Sequence, residues 1–98
     1  MASYTVTTSK HATLTANSTD TVTLGTASAS VTPRVEVLNR GSDPIYFTTD
    51  GTTPAVAGDN TRVVLPGGGL VVDLSPGAAS TVKLIAVSAV PYSVSQAT

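Results

Sequence analysis

The most chemically varied stretch of this chain is IYFTTDGTTPAVAGDN, residues 45–60. Its oxygen-bearing side chains include Asp50, Asp59 and Asn60, which would converge if the loop folded back on itself. Calcium takes six to eight oxygens, so backbone carbonyls would have to supply the remainder. Two carboxylates are few for that task, and the D-x-[DN]-x-[DN]-G pattern of an EF-hand loop is absent. Turn chemistry accounts for the same residues without a metal. Asp50-Gly51 offers an Asx turn and then a positive φ, Pro54 stiffens the excursion, and Gly58-Asp59-Asn60 returns the chain to the next apolar run. The expectation is a strand connection, with Asp50, Asp59 and Asn60 as weak calcium candidates and no cofactor.

The other reactive groups are sparse. His11 is the single histidine. A Ser-His-Asp arrangement is formally available, but no G-x-S-x-G elbow exists, and His11 alternates outward from Ala12 and Leu14 in a Thr-rich segment. Glycoside hydrolysis would need paired carboxylates. Glu36 and Asp73 fall on outward strand phases, while Asp43, Asp50 and Asp59 fall in loops, so no pair is marked out. PGGGL resembles a phosphate loop only in its glycines, since G-x-x-x-x-G-K-[ST] is missing and no helix follows, and it is expected to be a hairpin loop. The aromatics are Tyr4, Tyr46, Phe47 and Tyr92. Tyr46, opposite in phase to Phe47, is the one placed to be exposed, and a single tyrosine is a poor platform for sugar rings.

Composition points the same way. Charged residues make up 11% of the 98 positions, against about 25% in a typical soluble domain. Seventeen Thr and eleven Ser take their place. A hydroxyl surface costs less to desolvate than a charged one and gives neighbouring molecules little mutual repulsion. This predicts a surface partly covered by other protein. The five cations, Lys10, Arg34, Arg40, Arg62 and Lys83, are scattered and the net charge is −1, which argues against a nucleic-acid partner. The absence of cysteine excludes disulfides and thiolate metal sites and leans towards folding in a reducing cytoplasm. MASYTVTTSK lacks the apolar core of a signal peptide, and LIAVSAV, residues 84–90, falls far short of the ~20 residues of a membrane span. No membrane partner is expected.

The elements that must carry these residues read as strands throughout. Val and Thr abound, and apolar residues recur with period 2 rather than 3.6. SYTVTT, HATLTA, TVTLGT, PRVEVLN, PIYFTT, TRVVLP, GLVVDL, TVKLIAVS and PYSVSQ are separated by turn formers every 8 to 12 residues. Val22 with Leu24 and Val35 with Val37 take inward phases, Ile45 and Phe47 share a face opposite Tyr46, Val63 and Leu65 share one face, and Tyr92 aligns with Val94. GLVVDL and TVKLIAVS, the most apolar runs, are expected at the sheet centre. The prediction is an all-β chain: a single antiparallel β-sandwich over residues 1–98, jelly-roll or Ig-like, of eight to nine short strands. Residues 1–30, Thr-rich, read first as the outer strands of the same sandwich, with an N-terminal arm or edge hairpin as the alternative.

Two resemblances follow from these motifs. IYFTTDGTTPAVAGDNTRVVL, residues 45–65, resembles a strand and Asp-Gly turn found in Ig-like accessory modules of chitobiases and other carbohydrate-active enzymes. It implies no catalytic or sugar-binding residue. A longer region, VEVLNRGSDPIYFTTDGTTPAVAGDNTRVVLPGG with STVKLIAVSAVPYSVSQ, is similar to small β-sandwich virion proteins of tailed bacteriophages. That likeness covers about two-thirds of the chain, residues 35–96, and rests on turns and strands.

The resemblance implies a non-enzymatic structural virion protein, assembled in the host cytoplasm. A capsid decoration or minor capsid protein comes first, with a minor tail protein or a carbohydrate-binding or Ig-like accessory module as alternatives. Its partners would be the major capsid protein or other virion proteins and further copies of itself, with weak host-surface glycan binding as an addition. Tyr4, Thr5, Thr7, Tyr46, Asp50, Thr52 and Thr53 are the interface candidates, acting with edge strands that could add to a neighbouring sheet.

Overall fold

The computed structural model describes residues 6–26, 32–59, 61–74 and 79–97. Within them the chain forms eight strands: β1 (Val6–Thr13), β2 (Asp20–Thr26), β3 (Arg34–Asn39), β4 (Ile45–Thr48), β5 (Arg62–Val64), β6 (Gly69–Asp73), β7 (Ala79–Ile85) and β8 (Pro91–Ala97). They build two four-stranded antiparallel sheets, ordered β1-β8-β3-β6 and β2-β7-β4-β5. The first and last strands are neighbours, and the chain changes sheet between most successive strands. This is the jelly-roll member of the two alternatives the sequence left open.

Period-2 alternation explains the core. Val22 and Leu24 of β2, Val35 and Val37 of β3, Ile45 and Phe47 of β4, Val82 and Leu84 of β7, and Tyr92 and Val94 of β8 are all buried. Pleating sends alternate side chains to opposite faces, so each sheet contributes one apolar face and the two faces meet. Leu14 follows β1 and is also buried, with its N–H donating to the Val90 carbonyl at 2.9 Å.

In TRVVLP Val63 and Leu65 share a face, as expected, and it is the outer one, where they are 45% and 64% exposed; Val64 is the buried residue. Three consecutive apolar residues fit either phase, and the pairing of Ile45 with Val64 fixes the register. Two expectations change. GLVVDL is an edge strand, because β6 pairs only with β3; β7 is central as expected. PGGG is not a hairpin loop, since β5 and β6 belong to different sheets. It is a tight turn in which Gly68 N–H donates to the Leu65 carbonyl at 2.9 Å. Pro66 takes the first central position, and Gly67, at φ 75°, takes the second, where a type II turn needs a left-handed residue.

SYTVTT and HATLTA merge into one strand where they are described, with a register irregularity between Val6 and Thr8. β1 and β2 are edge strands of opposite sheets and are not paired with each other as a hairpin would be.

Candidate functional site

The loop between β4 and β5 is ordered by its own side chains. Thr52 donates to Asp50 Oδ1 through its backbone N–H at 3.1 Å and its hydroxyl at 2.6 Å. These two bonds, the hydroxyl's first, hold the Asp50 carboxyl below the usual carboxylate range. Gly51 follows at φ 86°, completing the expected Asx turn. Thr48 Oγ1 donates to the Thr52 carbonyl at 2.5 Å and anchors the loop to the end of β4. Further along, Gly58 N–H closes a turn on the Ala55 carbonyl at 3.0 Å, with Ala57 at φ 52°.

Asp50 is thereby occupied within its own turn. Asn60 lies outside the described residues. Among the described residues, no three His, Cys, Asp or Glu side chains come together in a way that could hold a metal ion.

A pocket of about 470 Å³ opens where β4 leaves its sheet, lined by Phe47, Thr48, Thr49, Asp50, Thr61 and Arg62. Phe47 and Thr48 are buried, and Asp50 and Arg62 are exposed. Arg62 lies opposite Phe47 on the inward phase of β5 and lines the pocket while remaining exposed. The lining offers one carboxylate, one guanidinium and several hydroxyls. Such a set suits a neutral polar ligand such as a polyol, held by hydrogen bonds alone.

The outer face of the β2-β7-β4-β5 sheet carries a different feature. Register places Ile85, Tyr46 and Val63 side by side across β7, β4 and β5. Leu65 and Val87 continue the same outward phases beyond the strand ends, and Val63, Leu65 and Val87 are each 45% exposed or more. Elsewhere on this face the side chains are Thr21, Thr23, Thr48, Thr81 and Lys83. An apolar row bordered by hydroxyls and one cation is poorly suited to water and well suited to a covering protein surface.

The interface candidates divide accordingly. Tyr46 is half-buried in the centre of the apolar row. Asp50, Thr52 and Thr53 are exposed in the loop. Thr7 lies in β1 at the irregular step, and Tyr4 and Thr5 lie outside the described residues. The sequence reading missed Val63, Leu65, Ile85 and Val87 as surface residues. Their signal was present in the cross-strand register with Tyr46, which no single strand reveals.

On the other sheet, His11 is exposed as expected, and its Nδ1 shares a 2.6 Å hydrogen bond with Ser93 Oγ, its cross-strand partner. Ser9 and Ser95 make the same kind of pair one rung away, at 3.0 Å. These are ladder contacts on a flat sheet face, and no hydrogen bond orients the imidazole from its far side among the described residues.

No family model matches the chain, and no curated protein matches it in sequence. Solved structures do match in fold. The chain is similar to a de novo designed double-stranded β-helix solved by solution NMR, with a TM-score of 0.57 and 18% identity over 92% of this chain and 96% of that one. It is also similar to a chain from Bacillus endospore appendages, described as a novel family of disulfide-linked pili, with a TM-score of 0.48 and 12% identity over 98% of this chain and 88% of that one. The designed β-helix supports the two-sheet architecture. Neither likeness carries a function to this chain.

Proposed function

We propose that this chain is a non-enzymatic structural protein of a tailed-bacteriophage virion, seated on the shell as a decoration or minor capsid component. The observation that carries the reading is the outward row Ile85–Tyr46–Val63, extended by Leu65 and Val87, on a chain with few charges. Burying a large aliphatic side chain is worth about 1.5–3 kcal/mol, so a partner covering this row gains several times that before its own ordering costs. The likeness of residues 35–96 to small virion proteins supplies the class of partner, the major capsid protein or a neighbouring virion component. A minor tail protein would use the same surface and differ in copy number.

The test is incorporation of a Val63→Asp, Leu65→Asp double variant in competition with the parent protein. Both residues are exposed, so the sandwich keeps its core, and the account expects particles to take up the parent almost exclusively. Equal uptake would remove this row from the interface.

A second reading has its own observation. The pocket between Asp50 and Arg62 lines its walls with hydroxyls, a carboxylate and a guanidinium, groups that can hydrogen-bond a sugar. Saturation of a glycan by the isolated protein, lost in Arg62→Ala, would favour it. Failure to bind any glycan would remove it.

A further inference from the structure

A second surface stands apart from that row. Each sheet ends in two edge strands, and an edge strand presents unpaired N–H and C=O groups to any extended chain. Three of the four edges here are guarded. On β1, Lys10 takes the inward phase opposite buried Val94, and the register slips between Val6 and Thr8. On β2, the register is broken between Thr23 and Thr26, and the exposed outward side chains are hydroxyls. β5 is three residues long and carries Arg62 on its inward phase.

β6 is different. Its five residues, GLVVD, run in unbroken register with β3 from Gly69 to Asp73. Val71 at its midpoint is 53% exposed on the outer face. Leu70 and Val72 face inward on either side, and Leu70 is only partly buried. The one charge, Asp73, is at the end of the strand and is paired at 2.8 Å with Arg34, its direct cross-strand partner on β3. Inward charges and bulges are the usual guards of an edge, and β6 has neither.

We propose that the free edge of β6 pairs antiparallel with β6 of a second copy, joining two four-stranded sheets into one of eight strands. A two-fold axis through Val71 sets Val71 against Val71 of the other copy and Leu70 against Val72 of the other copy. It sets Asp73 against Gly69 of the other copy, a residue with no side chain to crowd the Asp73–Arg34 pair. Leu38 already packs over Gly69 from the neighbouring strand, its Cδ2 2.5 Å from where a Cβ would stand, so a side chain at this position would displace the Leu38 side chain. Pleat and face agree in this register, since directly opposed residues share a face.

Charge agrees too. Glu36 is the outward neighbour of Val71 on β3. In the pair, the two Glu36 residues stand three strand spacings apart, roughly 14 Å, beyond the screening length at physiological salt. The same pairing at β5 would rest on a strand of three residues and bring two arginines close together. The contact is isologous and closes on itself, so it gives a dimer rather than a fibre. It is a property of the isolated protein and stands or falls independently of the virion reading.

Sedimentation velocity over a concentration series tests it, with circular dichroism to confirm each variant's fold. The parent protein sediments as a dimer. Val71→Glu, which adds a carboxylate beside Glu36 at the two-fold axis, weakens association on the order of a hundredfold. Val71→Lys weakens it as well, and mixing the two variants restores a heterodimer because opposite charges then face each other. Thr23→Lys, on the β2 edge, leaves the dimer intact. A parent that stays monomeric, a Val71→Glu variant that still dimerises, a mixture that forms no heterodimer, or a dimer lost to Thr23→Lys would each overturn the proposal.

Discussion

Tyr92 and Asp20 tie the two sheets together: the Tyr92 phenol, rising from β8, donates to Asp20 Oδ2 at the start of β2 across 3.0 Å. Tyr92 is 1% exposed. Burial, and then the hydrogen bond and charge of Asp20, push its pKa up to about 12 from an ordinary 10.0. The folded state therefore holds the phenolic proton more tightly than the unfolded chain does. This contribution is complete below pH 10 and is lost as pH rises towards 12.

Tyr92→Phe is expected to cost about 1.5–3 kcal/mol near neutral pH, the worth of a hydrogen bond to a charged acceptor. It should also flatten the alkaline limb, because the group that titrates there is gone. Urea denaturation at pH 7 and at intervals between pH 9 and 11.5 checks both parts. A variant with the parent's alkaline slope would mean that another group governs it.

Asn39 makes the second link between the sheets. Its side-chain amide donates to the carbonyls of Asp43, at 2.8 Å, and Val64, at 2.9 Å, and its Oδ1 accepts from Gly41 N–H at 2.9 Å. Asn39 is 2% exposed, so Asn39→Ala leaves these groups without their partner in a buried setting. The expected loss is about 2–4 kcal/mol, measured by chemical denaturation. A loss below about 0.5 kcal/mol, within the range of an ordinary surface substitution, would show that water replaces the amide.

The loop 49–61 offers a local test. Thr52→Val removes the hydroxyl donor to Asp50 and keeps the backbone one, so the Asp50 carboxyl should titrate closer to its ordinary value of 3.8. NMR titration of the side-chain carboxyl reads this directly. Because the folded pKa is depressed, the associated stabilisation is present above the unfolded value and lost as pH falls through the folded one. An unchanged titration would assign the effect to the backbone N–H alone.

Much of this fold was legible because alternation works wherever apolar and polar residues take turns. VEVLN and IYFT state their inward residues outright, and Val35, Val37, Ile45 and Phe47 are all buried. Alternation fails in RVVL and LVVD, where adjacent apolar residues satisfy either phase and only pairing with another strand decides. Sheet position failed for a related reason. GLVVDL is apolar because β6 is an edge whose outer face also carries a valine, and high apolar content reads as centrality until the strand order is known. Asn39 extends the Val35–Val37 alternation by one step, but Asn at a strand end is also a common turn former, so the sequence alone does not mark it as a buried cross-link. The candidate site was legible in its turn chemistry at Asp50-Gly51-Thr52. Its apolar row was not, because Ile85, Tyr46 and Val63 are distant in sequence and meet only through register.

Copy number in purified particles from the source is the decisive measurement for the proposed virion role. Quantitative mass spectrometry should find the chain in fixed proportion to the major shell protein, many copies per particle for a decoration or minor capsid role. Its absence from particles that carry their full set of other structural proteins would contradict the claim and leave the Asp50–Arg62 pocket as the feature to pursue.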